Sequence, residues 1–123
     1  KTMSSELVVH ESPNAPISEA IRLLRTNLSF MNGKRKNQVI LLTSAAPGDG
    51  KSWVSANLAA AYAQSDKKVL LVDADPQGDL TTYMGYYETD NLELTLADLM
   101  EQSINDEQIT AKKAILHHKE MLI

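Results

Sequence analysis

A glycine-containing loop that ends in a lysine and a hydroxyl residue is the stretch of this sequence best suited to chemistry. Residues 47–52, PGDGKS, follow an apolar run at 39–42 and precede a segment with helical spacing. Gly48 and Gly50 let backbone N–H groups approach an anion without a Cβ in the way. Because a helix that starts at the loop turns its positive end toward the same anion, this order of elements predicts a phosphate-binding loop, or P-loop.

The residue types at the end of the loop suggest a role for each. Lys51 would supply a point charge for the β- and γ-phosphates of a nucleotide, and Ser52 a hydroxyl oxygen for Mg²⁺. Trp53 follows directly, and we expect it to pack on a neighbouring loop rather than to stack on the ligand. The predicted nucleotide contacts are Pro47, Gly48, Asp49, Gly50, Lys51, Ser52 and Trp53.

The match to the consensus G-x-x-x-x-G-K-S/T is incomplete, because Ala45 occupies the first glycine position. A purely structural turn between two elements is therefore an alternative. A second motif favours the phosphate-binding hypothesis, since Asp73 and Asp75 follow another apolar run at 68–72. Carboxylates at the carboxyl end of a strand beside a P-loop lie where open α/β sheets bind ligands. Their alternative role is to cap the next helix.

The elements that must position these residues are typical of the α/β class. Two apolar runs of strand length, separated by one helix, predict a β-α-β crossover and a P-loop NTPase-like parallel sheet flanked by helices. Before them, Pro16 and a stripe of apolar residues predict a helix over 16–32 that ends near Gly33. Residues 1–15 are interpreted as an extended arm that ends in a turn.

Two further features complete the predicted organisation. Thr95 and Asp98 have the spacing of a capping box that opens a short helix. Residues 121–123 are interpreted as the start of a third strand, after which the sheet would be truncated. With 123 residues, the chain suits one partial nucleotide-binding domain, 1–123.

Composition and charge narrow the function classes. The net charge of −4 argues against a globally basic nucleic-acid binder, so no direct nucleic acid binding is expected. Because the sequence has no cysteine, it offers no disulfide, thiolate nucleophile or zinc-thiolate site. No apolar run reaches the roughly 18 residues that a transmembrane helix needs. Together these features favour a cytoplasmic protein.

A row of charges lies on the predicted helix at 16–32. Glu19, Arg22 and Arg25 are spaced by three residues and so share one face. Physical chemistry alone favours a solvated charge ladder, which stabilises a helix by only a few tenths of a kcal/mol.

With these residues in view, the sequence resembles the cytoplasmic catalytic domain of bacterial tyrosine kinases, the BY-kinase family of capsule and exopolysaccharide synthesis. The resemblance rests on residues 12–27, SPNAPISEAIRLLRTN, followed by residues 43–52, TSAAPGDGKS. Members carry an E-x-x-R-x-x-R helix and a P-loop of the A-P-G-E-G-K-S kind, with Asp49 here in place of glutamate. The resemblance covers about the first 73 residues.

The resemblance implies ATP or ADP and Mg²⁺ as ligands and transfer of the γ-phosphoryl group to tyrosine as the reaction. In that case Lys51 and the loop amides would hold phosphates, and Ser52 would ligate the metal. Asp73 would support the metal, and Asp75 would orient or deprotonate the nucleophile. These roles make Lys51, Asp73 and Asp75 the predicted catalytic set.

The resemblance also implies an assembly. In the family the E-x-x-R-x-x-R helix serves ring-like self-association, which here would involve Glu19, Arg22 and Arg25. The expected partners are further copies of the chain and a membrane adaptor protein of a polysaccharide export system. Such an adaptor would bring a cytoplasmic domain to the inner face of the membrane.

The second half of the sequence departs from the kinases. Gln77 stands where the kinases usually have arginine, and residues 75–81 and 94–99 are closer to ParA-type partition ATPases. Those ATPases, however, carry a lysine at the position of Ala46. A ParA-type ATPase and a non-catalytic oligomerising module therefore stay open as alternatives. Since the sequence does not reach a Walker B motif, weak or absent kinase activity is expected.

Overall fold

Helices dominate the described part of the chain. The structure, a computed structural model, describes residues 7–46, 48, 50–88 and 91–118. Within these ranges no helix is long and apolar enough to cross a bilayer. The helices are α1 (Val8–Glu11), α2 (Pro16–Asn32), α3 (Lys51–Ala63), α4 (Asp79–Tyr83), α5 (Leu96–Ile104) and a short 3-10 helix (Ala111–Ala114).

α2 covers the span that the sequence pattern predicts. Pro16 is its first residue, where the fixed φ of proline suits a helix and its missing N–H costs no hydrogen bond. Gly33 follows the helix with φ +61°, a conformation that favours glycine, and its N–H donates to the Phe30 carbonyl. Ile21 is buried on the inner face, whereas Phe30 is 80% exposed on the outer one.

The core is built around α3, which packs against α1, α2 and α4. Small side chains dominate its buried face, so the neighbouring helices can approach closely. Apolar burial of this kind, rather than helix propensity, provides most of the stability of short helices. The buried cluster consists of Leu7, Val9, Ile21, Ala56, Ala59, Ala60, Ala61, Leu80 and Met84.

Part of the predicted N-terminal arm is helical, so the extended interpretation of residues 1–15 is wrong for α1. Val9 is fully buried, and its N–H donates to Asn57 Oδ1 at 3.4 Å. Gln64 Nε2 donates to the Val9 carbonyl at 3.2 Å. These two contacts with α3, distant in sequence, fold the segment back onto the core. Residues 1–6 lie outside the described residues.

The two apolar runs predicted as strands show the alternating burial of strands. Val39 and Leu41 are 97% and 87% exposed, and the residues that alternate with them are half-buried. In the second run Leu70 and Val72 are exposed, while the residues between and before them pack against the buried cluster. This period of two is that of an extended segment with one covered face.

The parallel sheet itself is not seen among the described residues, where strand pairing is limited to isolated bridge residues at Leu70 and His117. Instead, both runs line one open cavity of about 500 Å³, with Leu58 of α3 also in its wall. No backbone hydrogen bond joins the two runs in the described part of the chain. The predicted third strand, residues 121–123, lies outside the described residues.

α5 confirms the predicted capping box. The Thr95 backbone N–H and hydroxyl each lie 2.7 Å from Asp98 Oδ2, and the Asp98 N–H donates to the Thr95 hydroxyl oxygen at 3.3 Å. The ionised carboxylate is stabilised mainly by the Thr95 hydroxyl and, to a smaller extent, by the Thr95 amide. The pKa of Asp98 therefore lies below its ordinary value. α5 therefore begins with a complete cap made from its own sequence.

Candidate nucleotide-binding site

The two described glycines of the predicted P-loop have the backbone conformation that such a loop requires. Gly48 has φ +82° and Gly50 has φ +80°, both in the left-handed region. A Cβ added at either position would meet no atom within 4 Å. Backbone conformation, rather than crowding, is therefore what requires glycine here. Pro47 and Asp49 lie outside the described residues.

Gly50 is also the N-cap of α3, and no described side chain accepts a hydrogen bond from the first turn of this helix. Glycine has no side chain to accept a hydrogen bond, and the first turn of α3 has no acidic residue. The first amides of a helix lack partners within the helix, so an uncapped N-terminus suits an external anion. Lys51, the first residue of α3, is exposed and adds a positive charge at the same end. This geometry fits the phosphates of a nucleotide.

Ser52 and Trp53 continue the first turn of α3. Ser52 is half-buried, and Trp53 is half-buried and packs against the hydrophobic cluster of the core. The Trp53 carbonyl accepts a hydrogen bond from Asn57 Nδ2 at 2.9 Å. The indole is thus held by packing one residue away from the hydroxyl predicted to ligate the metal.

The acidic motif forms a compact loop before α4. Asp73 Oδ1 accepts the backbone N–H of Asp75 at 3.1 Å, and Asp75 Oδ1 accepts the N–H of Gln77 at 3.0 Å. Gly78, with φ +64°, then leads into α4. Asp73 is half-buried and Asp75 is exposed. Both carboxylates therefore shape the loop in which they lie, and neither of these two bonds reaches α4.

Thr81 is a polar contact of this motif that the sequence pattern did not identify. Its backbone N–H lies 2.8 Å and its hydroxyl 2.5 Å from Asp73 Oδ2, so a residue eight positions upstream caps α4. Thr81 is only 7% exposed. A cap that comes from outside the helix and across a turn has no fixed sequence spacing, unlike the capping box of α5.

The structure links the glycine loop and the acidic loop through packing rather than through direct contact. In the described part of the chain, no hydrogen bond or ion pair joins Lys51 or Ser52 to the Asp73 carboxylate. The link is instead the contact between α4, which carries Thr81, and α3, which begins at Lys51.

The donor set predicted for a metal fits Mg²⁺. A hydroxyl and a carboxylate are hard oxygen ligands, and Mg²⁺ is usually held by one or two protein groups together with phosphate oxygens and waters. In the ranges that the structure describes, no group of three His, Asp or Glu side chains converges on a point. A sparse oxygen set of this kind suits Mg²⁺ bound with a nucleotide better than zinc or calcium bound by protein alone.

The predicted self-association residues of α2 include two with contacts inside the chain. Arg22 Nη2 donates to the Pro13 carbonyl at 2.5 Å, and Arg25 Nη1 donates to the Ala61 carbonyl near the end of α3 at 2.9 Å. Glu19 is exposed. Because a guanidinium has five N–H donors, neither contact exhausts its arginine. A role of these residues in self-association stays a prediction.

Comparison with known protein families identifies the class. The AAA domain family matches residues 37–123, which include the first apolar run, the glycine loop, α3 and the acidic loop. The chain belongs to this AAA domain family. Such domains are P-loop NTPase domains of the α/β class, so the fold class expected from the sequence is confirmed at this level.

Individual relatives are bacterial kinases. Tyrosine-protein kinase YwqD of Bacillus subtilis (strain 168) is 44% identical over 73 residues, 59% of this chain and 31% of the relative. Tyrosine-protein kinase wzc of Salmonella typhimurium (strain LT2) is 40% identical over 94 residues, 76% of this chain and 13% of the relative. Tyrosine-protein kinase etk of Escherichia coli (strain K12) is 41% identical over 75 residues, 61% of this chain and 10% of the relative.

These matches confirm the resemblance to bacterial tyrosine kinases. The chain spans only about a tenth to a third of the length of these relatives. The resemblance of its second half to partition ATPases stays a prediction.

Proposed function

We propose that this chain is the ATP-binding P-loop region of a bacterial tyrosine kinase, one that regulates capsule or exopolysaccharide synthesis. The observation that carries this proposal is the N-terminus of α3, where left-handed glycines lead into a helix that no described side chain caps. Support also comes from relatives named tyrosine-protein kinases, which are 40% to 44% identical to this region.

Each polar residue of the site has a role in this proposal. The amides of the first turn of α3 and the Lys51 ammonium bind the phosphates, and the Ser52 hydroxyl and Asp73 carboxylate face the metal. Mg²⁺, when bound, neutralises charge on the phosphates. Asp75, which is exposed, orients the tyrosine hydroxyl or accepts its proton. Phosphoryl transfer depends mainly on such positioning and charge neutralisation, so few groups with reactive chemistry of their own are needed.

The fold proposed for the region is a parallel sheet with helices on its faces. The runs at 39–42 and 68–72 are its first two strands. Support comes from their alternating burial and from the packing of Val69 and Leu71, in the second run, against the buried cluster. In α/β sheets the glycine loop and the acidic loop would both follow the carboxyl ends of strands, where ligands bind.

The proposal includes self-association in the cytoplasm, beside a membrane adaptor protein. The interface would use the exposed Glu19 together with donors of Arg22 and Arg25 that are not engaged by Pro13 and Ala61. The test is the mass of the assembly in solution, with the wild type compared with Arg22→Glu. An unchanged assembly mass in the variant would count against this interface.

Incubation with Mg-ATP tests the reaction. Intact-mass analysis of the chain reports phosphotyrosine, a phosphate assay reports hydrolysis, and Lys51→Ala is the control for both. Phosphotyrosine that is absent from the control supports the kinase. Free phosphate without modification of the protein would contradict the kinase function and support a ParA-type ATPase. Nucleotide binding with neither phosphotyrosine nor free phosphate would support a non-catalytic oligomerising module.

A further inference from the structure

The Asp73 carboxylate is held mainly by one residue, Thr81. Oδ2 accepts both the Thr81 N–H at 2.8 Å and the Thr81 hydroxyl at 2.5 Å, while Oδ1 accepts the Asp75 N–H at 3.1 Å. An ionised carboxylate has about four acceptor positions. Among the described residues three of these positions have a partner, and the fourth, on Oδ1, has none.

Thr81 is in turn fixed by the core. It is 7% exposed, its neighbour Leu80 is 8% exposed, and Met84 one turn later is 4% exposed. Leu80 and Met84 belong to the buried cluster together with alanines of α3. The hydroxyl that holds Asp73 is thus attached, through packed side chains, to the helix whose first residues are Lys51 and Ser52.

The two bonds from Thr81 differ in what they require of the side chain. The N–H bond to Oδ2 would persist with any non-proline residue at this position. The hydroxyl bond needs serine or threonine, and it fixes the rotation of the carboxylate about its last torsion, which is otherwise broad for aspartate. Removing the hydroxyl would leave the carboxylate held by two backbone N–H groups, that of Thr81 on Oδ2 and that of Asp75 on Oδ1, and would weaken the restraint on its orientation.

We propose that Thr81 is a positioning residue, whose hydroxyl orients Asp73 so that the free position on Oδ1 is presented to the Mg²⁺ of bound ATP. This inference rests on the proposed function. The competing explanation is that the hydroxyl only stabilises the acidic loop and α4. The two differ in one observable, because orientation of a metal-facing carboxylate affects ATP binding only when Mg²⁺ is present.

The test compares ATP affinity with Mg²⁺ and with EDTA, by calorimetry, in four chains. Thr81→Val removes the hydroxyl and keeps the shape, Thr81→Ser restores a hydroxyl, and Thr82→Val removes a hydroxyl from the next position of α4. In Thr81→Val the affinity with Mg²⁺ should fall about tenfold, the size expected for one lost hydrogen bond to a charged group. Its affinity in EDTA should stay within about twofold of the wild type. Thr81→Ser and Thr82→Val should behave as the wild type.

Each other outcome has a distinct meaning. If the wild type binds Mg-ATP and Thr81→Val loses affinity equally with and without Mg²⁺, or not at all, the positioning role is overturned while the proposed function stands. If the wild type binds no nucleotide, the proposed function fails and this inference fails with it. Should thermal melting show Thr81→Val to be unfolded, Thr81→Ala, which keeps the N–H bond and favours the helix, provides the same comparison.

Discussion

The N-termini of α3 and α5 show two ways to satisfy the first amides of a helix. α5 carries its own acceptors, since Thr95 and Asp98 form a closed capping box. α3 has Gly50 as its N-cap, which has no side chain, and no acidic residue in its first turn. No described side chain accepts from the first N–H groups of α3, so they are available to an external anion.

The C-terminal half of α3 is well packed, so the lack of a side-chain cap at its N-terminus does not reflect a poorly packed helix. Arg25 donates to the Ala61 carbonyl there, and the middle of the helix is buried from Ala56 to Ala61. α3 is thus stabilised by packing and by a contact at its C-terminal end. The comparison teaches that a helix with a well-packed body can leave its N-terminus open for function.

The largest effect is expected when the open cap of α3 is altered. Gly50→Ala forces a Cβ into a conformation with φ +80°, which costs about 1–2 kcal/mol. It should also weaken ATP binding by at least about tenfold, because the loop amides would turn away from the phosphates. Urea unfolding and an ATP titration measure the two effects.

Gly33→Ala is the matched control for that change. Gly33 has φ +61° at the other end of α2, and a Cβ there would also meet no atom within 4 Å. Because Gly33 has ψ −131° and lies outside the left-handed α region, we expect a loss of stability at least as large as that of Gly50→Ala, and no loss of ATP affinity. Equal losses of ATP affinity in the two variants would show that Gly50→Ala weakens binding only by destabilising the fold.

The next effect concerns the C-terminal end of α3. Arg25→Ala should lower the free energy of unfolding by about 1.5 kcal/mol, because the part-buried Ala61 carbonyl loses a charged donor. Arg22→Ala should cost less, since its bond to the Pro13 carbonyl is exposed. ATP affinity should be unchanged in both. A loss of ATP affinity in Arg25→Ala would show that the contact at the C-terminal end of α3 also affects binding at its N-terminus.

A smaller effect is expected at the closed cap of α5. Thr95→Ala removes the capping hydroxyl and should lower stability by about 1 kcal/mol, whereas Thr95→Ser should cost little. Neither should change ATP affinity. Circular dichroism during urea unfolding measures the difference, and equal stability of Thr95→Ala and the wild type would show that the cap contributes nothing.

The smallest effect is a dependence on pH. Hydrogen bonds from Thr95 lower the pKa of Asp98 in the folded chain. The ionised carboxylate therefore contributes its full stabilisation of the folded chain at a pH above the ordinary aspartate pKa of about 3.9. The contribution is lost as the pH falls through the lowered pKa, because protonation then favours the unfolded chain. The stability difference between the wild type and Asp98→Asn should therefore shrink between pH 7 and pH 3. A difference that stays constant would contradict this.

Sequence reasoning succeeded where local pattern determines structure. Pro16 and Gly33 bound α2, Gly50 leads into α3, and Thr95 with Asp98 opens α5, all as expected from spacing and residue type. Each of these features depends on residues within one or two turns of each other. The AAA domain match over residues 37–123 likewise agrees with motifs that are contiguous in the sequence.

It was less successful where contacts are distant in sequence. α1 was missed because its stability comes from Asn57, 48 residues away from Val9. The bonds between Thr81 and Asp73 were missed because they cross a turn of variable length. The strand pairing predicted for residues 39–42 and 68–72 is not seen among the described residues, because apolar runs record burial but not a partner.

The central claim is that the open N-terminus of α3 binds the phosphates of ATP, and the sole tryptophan measures it most directly. Trp53 lies in the first turn of α3, so its fluorescence should respond to an occupied glycine loop. Titration of Mg-ATP should give a saturable change in the wild type, and Lys51→Ala should bind at least about tenfold more weakly. Its unfolding free energy should be unchanged, since Lys51 is exposed. Equal affinity in both chains, or no binding to the wild type by fluorescence and calorimetry, would contradict the claim.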